Sequence, residues 1–219
     1  MAYSKDIIDK TIVFVKKTLT DAEGGHDWFH IQRVYNNALL IAKDGGGDLL
    51  IISLAALLHD IADSKFYDCD ETIGPQLAQD FLETLQVEKA VIEHVINIIH
   101  HISFKNTLET KSAFHSKELD IVQDADRLDA IGAIGIARCF NYGGYKNRSL
   151  YNPSIKPVVH LTKKTYKKNT APTIKHFYEK HLLLKDQIKT PTGKVMAEER
   201  HVFMEQYLDQ FYKEWHGDW

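Results

Sequence analysis

An all-α fold is predicted by three features of the 219-residue sequence. Apolar residues recur every three or four positions in several long stretches, which places them along one face of a helix. The apolar-polar alternation of a half-buried strand is absent throughout the sequence. Clusters of Gly, Pro, Asn and Thr separate the stretches at lengths suited to helices joined by turns. There is no internal repeat or low-complexity tract.

Ile7, Ile8, Ile12, Val15 and Leu19 mark a first amphipathic helix; Ile31, Val34, Ala38, Leu39 and Ala42 mark a second, ended by Gly45-Gly46-Gly47. Residues 49–62 read as a more buried helix, because Ile51-Ile52-Ser53-Leu54-Ala55-Ala56-Leu57-Leu58 is almost wholly apolar. Thr72-Ile73-Gly74-Pro75 punctuates the chain, and helices are expected over 76–85 and 88–100. Helical pattern resumes near 117 and is expected to run through Asp126 to about 140. There Asn141-Tyr142-Gly143-Gly144-Tyr145 should break it and open a long connection. Two last helices are expected over 173–184 and 192–215, the second preceded by the turn-like Thr190-Pro191-Thr192-Gly193.

A hydrophobic content of 44% is ordinary for a globular protein and does not limit core formation. Two cysteines, Cys69 and Cys139, give neither a disulfide framework nor a metal-ligand pair; they read as buried or incidental thiols in a reducing compartment. The first residues lack the charged start and apolar run of a signal peptide, and no apolar run reaches membrane-spanning length. A cytoplasmic protein with no membrane partner is expected.

The formal net charge of −3 gives no global attraction to nucleic acid, which is not expected as a partner. The average hides an asymmetry. Lys146, Arg148, Lys156, Lys163, Lys164, Lys167 and Lys168 fall between 141 and 170 with no Asp or Glu among them, leaving the rest of the chain at −10. This segment is either a solvated loop or a patch that steers an anionic phosphate, and its position after the Asp126 region favours steering.

His59-Asp60 carries the chemistry. It terminates a run that otherwise reads as core, and burying an imidazole and a carboxylate without partners costs roughly 1–3 kcal/mol or more for each. A divalent cation would satisfy both. His26-Asp27-Trp28-Phe29-His30 lies upstream and Asp124-Ala125-Asp126-Arg127-Leu128-Asp129 downstream, so the chain offers His, His-Asp and Asp in order. Two neutral imidazoles and two carboxylates suit Mn²⁺, Fe²⁺, Co²⁺, Ni²⁺ or Zn²⁺ and leave positions for water and substrate. Asp124, Asp126 and Asp129 compete for the last place. Residues two apart point about 200° apart on a helix, so Asp124 and Asp126 cannot both face inward, and spacing alone does not choose.

These residues resemble the HD-domain metal-dependent phosphohydrolase family, whose pattern of one His, a His-Asp doublet and a distant Asp matches His30, His59, Asp60 and Asp126. The stretches His26 to Val34 and Gln123 to Ala133 are also similar to extended signatures of one bacterial subgroup of uncharacterised type, and the likeness covers most of the chain. It implies an HD-domain helical bundle with a C-terminal helical extension. The metal-binding core would span 1–140; the basic connection and the extension, 141–219, would pack on it.

The resemblance implies Asp126 as the last ligand, since the family's final carboxylate precedes Arg or Lys and then Leu, as in Asp126-Arg127-Leu128. Asp124 and Asp129 are left to cap or to pair with cations. Ligating imidazoles need a partner on their other nitrogen, so His26 and Asp27 read as supporting residues, with Asp27 or Asp63 as carboxylates for that role. Asp63 shares the face of His59 if the helix persists, and an exposed or capping carboxylate fits it equally. Arg33 shares the face of His30 and either approaches a phosphate or, as is favoured, pairs with Asp27. In Ile98-Ile99-His100-His101-Ile102-Ser103-Phe104-Lys105 the resemblance sets His101 and Lys105 against phosphate oxygens, with plain surface roles equally open. His176, Lys180, Lys185, Arg200 and His201 resemble positions of the subgroup's helical addition, but amphipathic helices carry such charges routinely and they are not counted in the site.

The implied activity is hydrolysis of a phosphate ester or anhydride of a small nucleotide-like substrate by a metal-activated water, with His59, Asp60, Asp63 and Lys105 as catalytic candidates. Mn²⁺ is the foremost cofactor candidate, with Mg²⁺, Co²⁺, Ni²⁺, Fe²⁺ and Zn²⁺ as alternatives. No nucleophilic Ser or Cys constellation, P-loop or dinucleotide-binding glycine pattern is present. The rivals are a di-iron oxygenase of HD type drawing extra ligands from His94, His100 and His101, a non-catalytic nucleotide-binding or nucleic-acid-binding module using the basic segment, and a plain helical scaffold in which His59 and Asp60 serve stability alone.

Overall fold

A computed structural model describes residues 2–20, 22, 27–62, 72–102, 114–156 and 171–218. His26, Asp63, Cys69, Lys105, Lys163, Lys164, Lys167 and Lys168 lie outside the described residues. The fold is all-α. Nine α-helices occur among the described residues, and no strand. The chain divides into two compact units, Met1–Ala125 and Asp126–Trp219.

The first unit is built around its most apolar helix. Helices α1 (Ala2–Thr18), α2 (Trp28–Gly45) and α5 (Lys89–His101) all pack on α3 (Leu49–Leu58), and α4 (Ile73–Thr84) packs on α5. Every residue of α3 from Ile51 to Leu58 is buried. Its one hydroxyl, on Ser53, donates to the Leu49 carbonyl at 2.6 Å, so the core holds a polar atom without losing its hydrogen bond. Asp48 caps the helix, accepting from Leu50 N at 2.8 Å and Ile51 N at 3.2 Å. The glycine run ends α2 as expected, with Gly46 at φ 72° and Gly47 at φ 99°. Phe14 of α1 stacks on Phe81 of α4 with ring centroids 3.9 Å apart.

Several boundaries differ from expectation. The third helix ends at Leu58 rather than near 62, so His59 and Asp60 stand in the turn that follows it. The cause is local: His59 Nδ1 bonds the Ala56 carbonyl at 2.9 Å, supplying the partner that the next helical turn would have given. The fourth helix starts at Ile73, because Pro75 fits a first turn, where its missing N–H has no intrahelical partner to lose.

The continuous helix expected over 117–140 is two helices, α6 (Lys117–Asp129) and α7 (Gly132–Tyr145). Ile131 is extended between them and Gly132 adopts φ 72°. Helix α7 also runs through Asn141-Tyr142-Gly143-Gly144-Tyr145 instead of breaking there. Gly143 is needed for close packing rather than for a turn, since a Cβ on it would collide with Thr173 Oγ1.

The second unit joins the last turn of α6 to α7, to α8 (Thr173–Glu179), to two 3₁₀ turns at His181–Leu183 and Lys185–Gln187, and to α9 (Pro191–His216). The helix expected to reach 184 ends at Glu179 and continues as those turns. Thr190 caps α9, its hydroxyl accepting from Gly193 N, and Gly217 closes it at φ 75°. Phe140, Phe177, Tyr207 and Phe211 form its aromatic core. Buried Cys139 has its thiol pushed up to about 12, chiefly by burial, which suits a packing role. Among the described residues no helix is long and apolar enough to cross a membrane.

Candidate metal centre

Two local structures bring the chemistry of the first unit together. The first is the start of α2. Asp27 is its N-cap and accepts from His30 N at 3.0 Å, so the turn that carries the histidine is held by a side chain three residues before it. His30 itself is buried within α2. The second is the turn after α3, where the bond from His59 Nδ1 to the Ala56 carbonyl fixes a tautomer. A carbonyl can only accept, so Nδ1 carries the proton and the lone pair lies on Nε2, which is buried.

The two imidazoles meet edge to face with ring centroids 5.3 Å apart, and His30 Nε2 stands 4.0 Å from Asp60 Oδ2. One ligand atom from each of His30, His59 and Asp60 lies within 4.8 Å of the other two. This is the one such group of His, Cys, Asp and Glu among the described residues. The fit to a cation can be tested on the distances. Two donors bound at about 2.0–2.2 Å can be no more than about 4.4 Å apart, so the 4.0 Å pair already satisfies that limit. Nitrogen and carboxylate donors in this ratio suit a first-row divalent cation.

The other residues singled out in the sequence fall in several places. Asp126 is the first residue of the second unit and is half-buried. Asp124 is fully buried, and Asp129 pairs with Arg138 at 2.8 Å, a salt bridge of the kind expected of it. Asp27 works through the backbone of His30. Arg33 is half-buried on α2. His101 donates from Nδ1 to the Asn97 carbonyl at 2.7 Å, which puts its lone pair on Nε2. His94 bonds Ser116 Oγ at 2.9 Å and lies 3.6 Å from Glu118, while His100 is exposed, its pKa lowered by partial burial and then by the charge of His101. Thus His94 and His101 have protein hydrogen-bond partners, and neither joins the His30 group.

Sequence reasoning missed the tautomer lock at Ala56, since a backbone carbonyl leaves no trace in residue identity. It also gave no place to His181, and it set Arg200 aside as a surface charge. Both bond the backbone at the end of α6, at Ala130 O and Leu128 O.

The HD domain model matches residues 28–131, the stretch that holds His30, His59, Asp60 and Asp126. An HD-superfamily hydrolase from Bacillus thuringiensis is 44% identical, covers 97% of this chain and 98% of its own, and superposes with a TM-score of 0.76. The chain belongs to the HD domain family. A Lactobacillus plantarum protein is 35% identical with a TM-score of 0.86, covering 97% of this chain and 98% of its own. YpgQ of Bacillus subtilis, described as uncharacterised, is 38% identical over 92% of this chain and 90% of its own length. YpgQ has been solved in complex with ADP, and that structure has a TM-score of 0.73, covering 94% of this chain and 97% of its own. The Bacillus thuringiensis neighbour, an HD-superfamily hydrolase, supports a hydrolase.

Proposed function

We propose that this HD-domain protein is a metal-dependent phosphohydrolase that cleaves a phosphate ester or anhydride of a nucleotide-like substrate. The observation that carries the reading is the convergence of His30, His59 and Asp60 within 4.8 Å, with the Nε2 lone pair of His59 set by the Ala56 carbonyl. In this reading Asp126 supplies the fourth ligand, as the family pattern implies. A cation bound there supplies a water that ionises near neutral pH and a positive charge for a phosphoryl oxygen.

His30 and His59 serve as neutral donors, and Asp60 offsets charge while accepting from the attacking water. His101, whose Nε2 carries a proton to donate when the ring is doubly protonated, and Lys105 beyond the described residues, are assigned to the phosphate oxygens of the substrate. His26, Asp63 and Arg33 keep the supporting or phosphate-binding roles given above. Mn²⁺ remains the foremost candidate ion. The nucleotide assignment is supported by YpgQ, whose complex with ADP shows that this relative binds a nucleotide.

The test is a screen of nucleoside mono-, di- and triphosphates and simple phosphate esters with Mn²⁺, Mg²⁺, Co²⁺ and Ni²⁺, with His59→Ala and Asp60→Ala as controls. Release of phosphate or pyrophosphate that needs the ion and vanishes in both variants supports the reading. Hydrolysis undiminished in the variants, or none with any substrate in the series, would overturn it.

A further inference from the structure

Within the second unit, residues 149–156 follow α7 and are pinned to the start of α8. Thr173 N donates to the Ser149 carbonyl at 2.9 Å, and Ile174 N donates to the Leu150 carbonyl at 3.0 Å. Tyr151 is also held by α9, meeting Tyr212 and Trp215 edge to face with ring centroids 5.4 Å and 5.0 Å away. Residues of this loop, of α8 and of α9 line a cavity of about 230 Å³. Three elements tied to one another thus enclose one space, as a preformed ligand site requires.

The polar groups of the lining share one character. Lys156 and Lys175 bring ammonium groups, Tyr151, Tyr178 and Tyr212 bring phenol hydroxyls, and Asn152 brings an amide; among the described residues no carboxylate lines the cavity. Glu179, which pairs with Lys175 at 3.2 Å, is not part of the lining. The Asn152 oxygen is already engaged, since Oδ1 accepts from Ser154 N at 2.9 Å, so the amide has its NH₂ group left to offer. Tyr212 keeps its proton, because burial first and a hydrogen bond to Tyr178 second raise its pKa above the ordinary 10.0. A bond that holds the proton on Tyr212 is one that Tyr212 donates, which leaves the Tyr178 hydroxyl proton for a different acceptor. The remaining walls are prolines and isoleucines, and such apolar surroundings strengthen a charged hydrogen bond formed among them.

We propose that this cavity is a phosphate-binding subsite: it takes a phosphate group, free or carried by a nucleotide, with Lys156 and Lys175 supplying positive charge and Tyr178 and Asn152 supplying hydrogen bonds. Cations and neutral donors in excess of acceptors call for an anion, and a phosphate presents more oxygens to them than a carboxylate does. Lys156 belongs to the basic segment between 141 and 170, and the cavity gives that charge a defined place to act. The subsite uses no residue of the His30, His59 and Asp60 group, so it does not rest on reading that group as a metal centre. It gives the second unit a ligand of its own, of the chemical class that the proposed reaction consumes and releases.

The experiment follows the amide NMR shifts of the isotope-labelled, metal-free chain during titration with inorganic phosphate, AMP and adenosine. Phosphate and AMP should shift the amides of Asn152, Ile155, Ile174 and Lys175, and adenosine should not. Tyr178→Phe removes one hydrogen bond to a charged group and should raise the Kd read from these amides about tenfold or more. Lys156→Met, at an exposed position, should raise it about two- to fivefold, an effect that shrinks at high salt. Asp60→Asn should leave it unchanged. Circular dichroism confirms that each variant folds.

Tighter binding of AMP than of phosphate would name a nucleotide as the source of the group, and AMP no tighter than phosphate would name the free ion; either result upholds the subsite. No shift of these amides with phosphate and AMP, shifts as large with adenosine, or a loss in Asp60→Asn equal to that in Tyr178→Phe would overturn it. So would a Kd unchanged in both cavity variants. If Tyr178→Phe does not fold, Lys156→Met decides alone, and wild-type affinity in that variant overturns the proposal.

Discussion

Asp27 offers the sharpest perturbation of the first unit, because its carboxylate reaches the site through a backbone atom. Replacing it with Ala removes the acceptor 3.0 Å from His30 N. Loss of an N-cap costs about 0.5–2 kcal/mol. His30 N also reaches the Asp27 carbonyl at 3.1 Å, a contact that survives the substitution and holds the loss near about 1 kcal/mol. For a chain of this size that corresponds to a fall in Tm of about 2–4 °C. Asp27→Asn keeps a capping oxygen and should lose only the charge at the helix start, at most about 0.3–1 kcal/mol. Thermal and urea denaturation of the metal-free protein, followed by circular dichroism, would give the order wild type, Asn, Ala. Mn²⁺ affinity should follow the same order, since the cap fixes the turn that carries His30. An Asn variant as unstable and as weak for Mn²⁺ as the Ala variant would refute the capping argument and point to a role for the Asp27 charge.

Burial holds the His181 imidazole at a pKa of about 3, with Lys180 adding to the effect, against an ordinary value of 6.5. Below about pH 6.5 the unfolded chain takes up a proton that the folded protein refuses, so stability must fall as pH drops toward 3, by up to about 1.4 kcal/mol per pH unit. His181→Asn keeps a donor toward Ala130 O without the titration, and should flatten the stability profile between about pH 6 and about pH 4.5; parallel profiles would exclude His181 as the cause. Leu57→Ala, in the fully buried face of α3, should cost about 2–5 kcal/mol in chemical denaturation, and a cost under about 1 kcal/mol would contradict its central place. Gly143→Ala should destabilise the protein through the collision with Thr173 Oγ1, whereas Gly144→Ala, with nothing within 4 Å of its Cβ, should be neutral or stabilise by up to about 1 kcal/mol. Equal melting shifts for the two would show that the glycine pair is not distinguished by packing.

The helical class was legible because helix periodicity is a property of residue order alone, and the spacing of Ile31, Val34, Ala38 and Ala42 survives as the buried face of α2. The doublet was legible for a different reason: two charge-bearing side chains at the end of Ile51–Leu58 contradict their surroundings. The break between Asp129 and Gly132 was not, since Leu128, Ala130 and Ile131 fit a helix and one glycine is tolerated within such a pattern. Its reason lies in the Arg200 stem that passes Gly132, a contact between residues 68 apart in number that no local pattern encodes. Gly143 misled in the opposite direction, because a glycine required by a neighbour's approach looks in sequence like a glycine required by a turn. Likewise the grouping of His30 with His59 and Asp60 follows from the packing of α2 on α3, which residue order suggests only by resemblance.

The central claim is that His30, His59 and Asp60 together hold one catalytic cation. Equilibrium binding of Mn²⁺ to the wild-type chain and to a folded Asp60→Asn variant tests it most directly. About one tightly held ion per chain in the wild type, lost in the variant while its melting curve is preserved, is the predicted outcome for a site with this donor set. Equal Mn²⁺ content and affinity in the two proteins would contradict it.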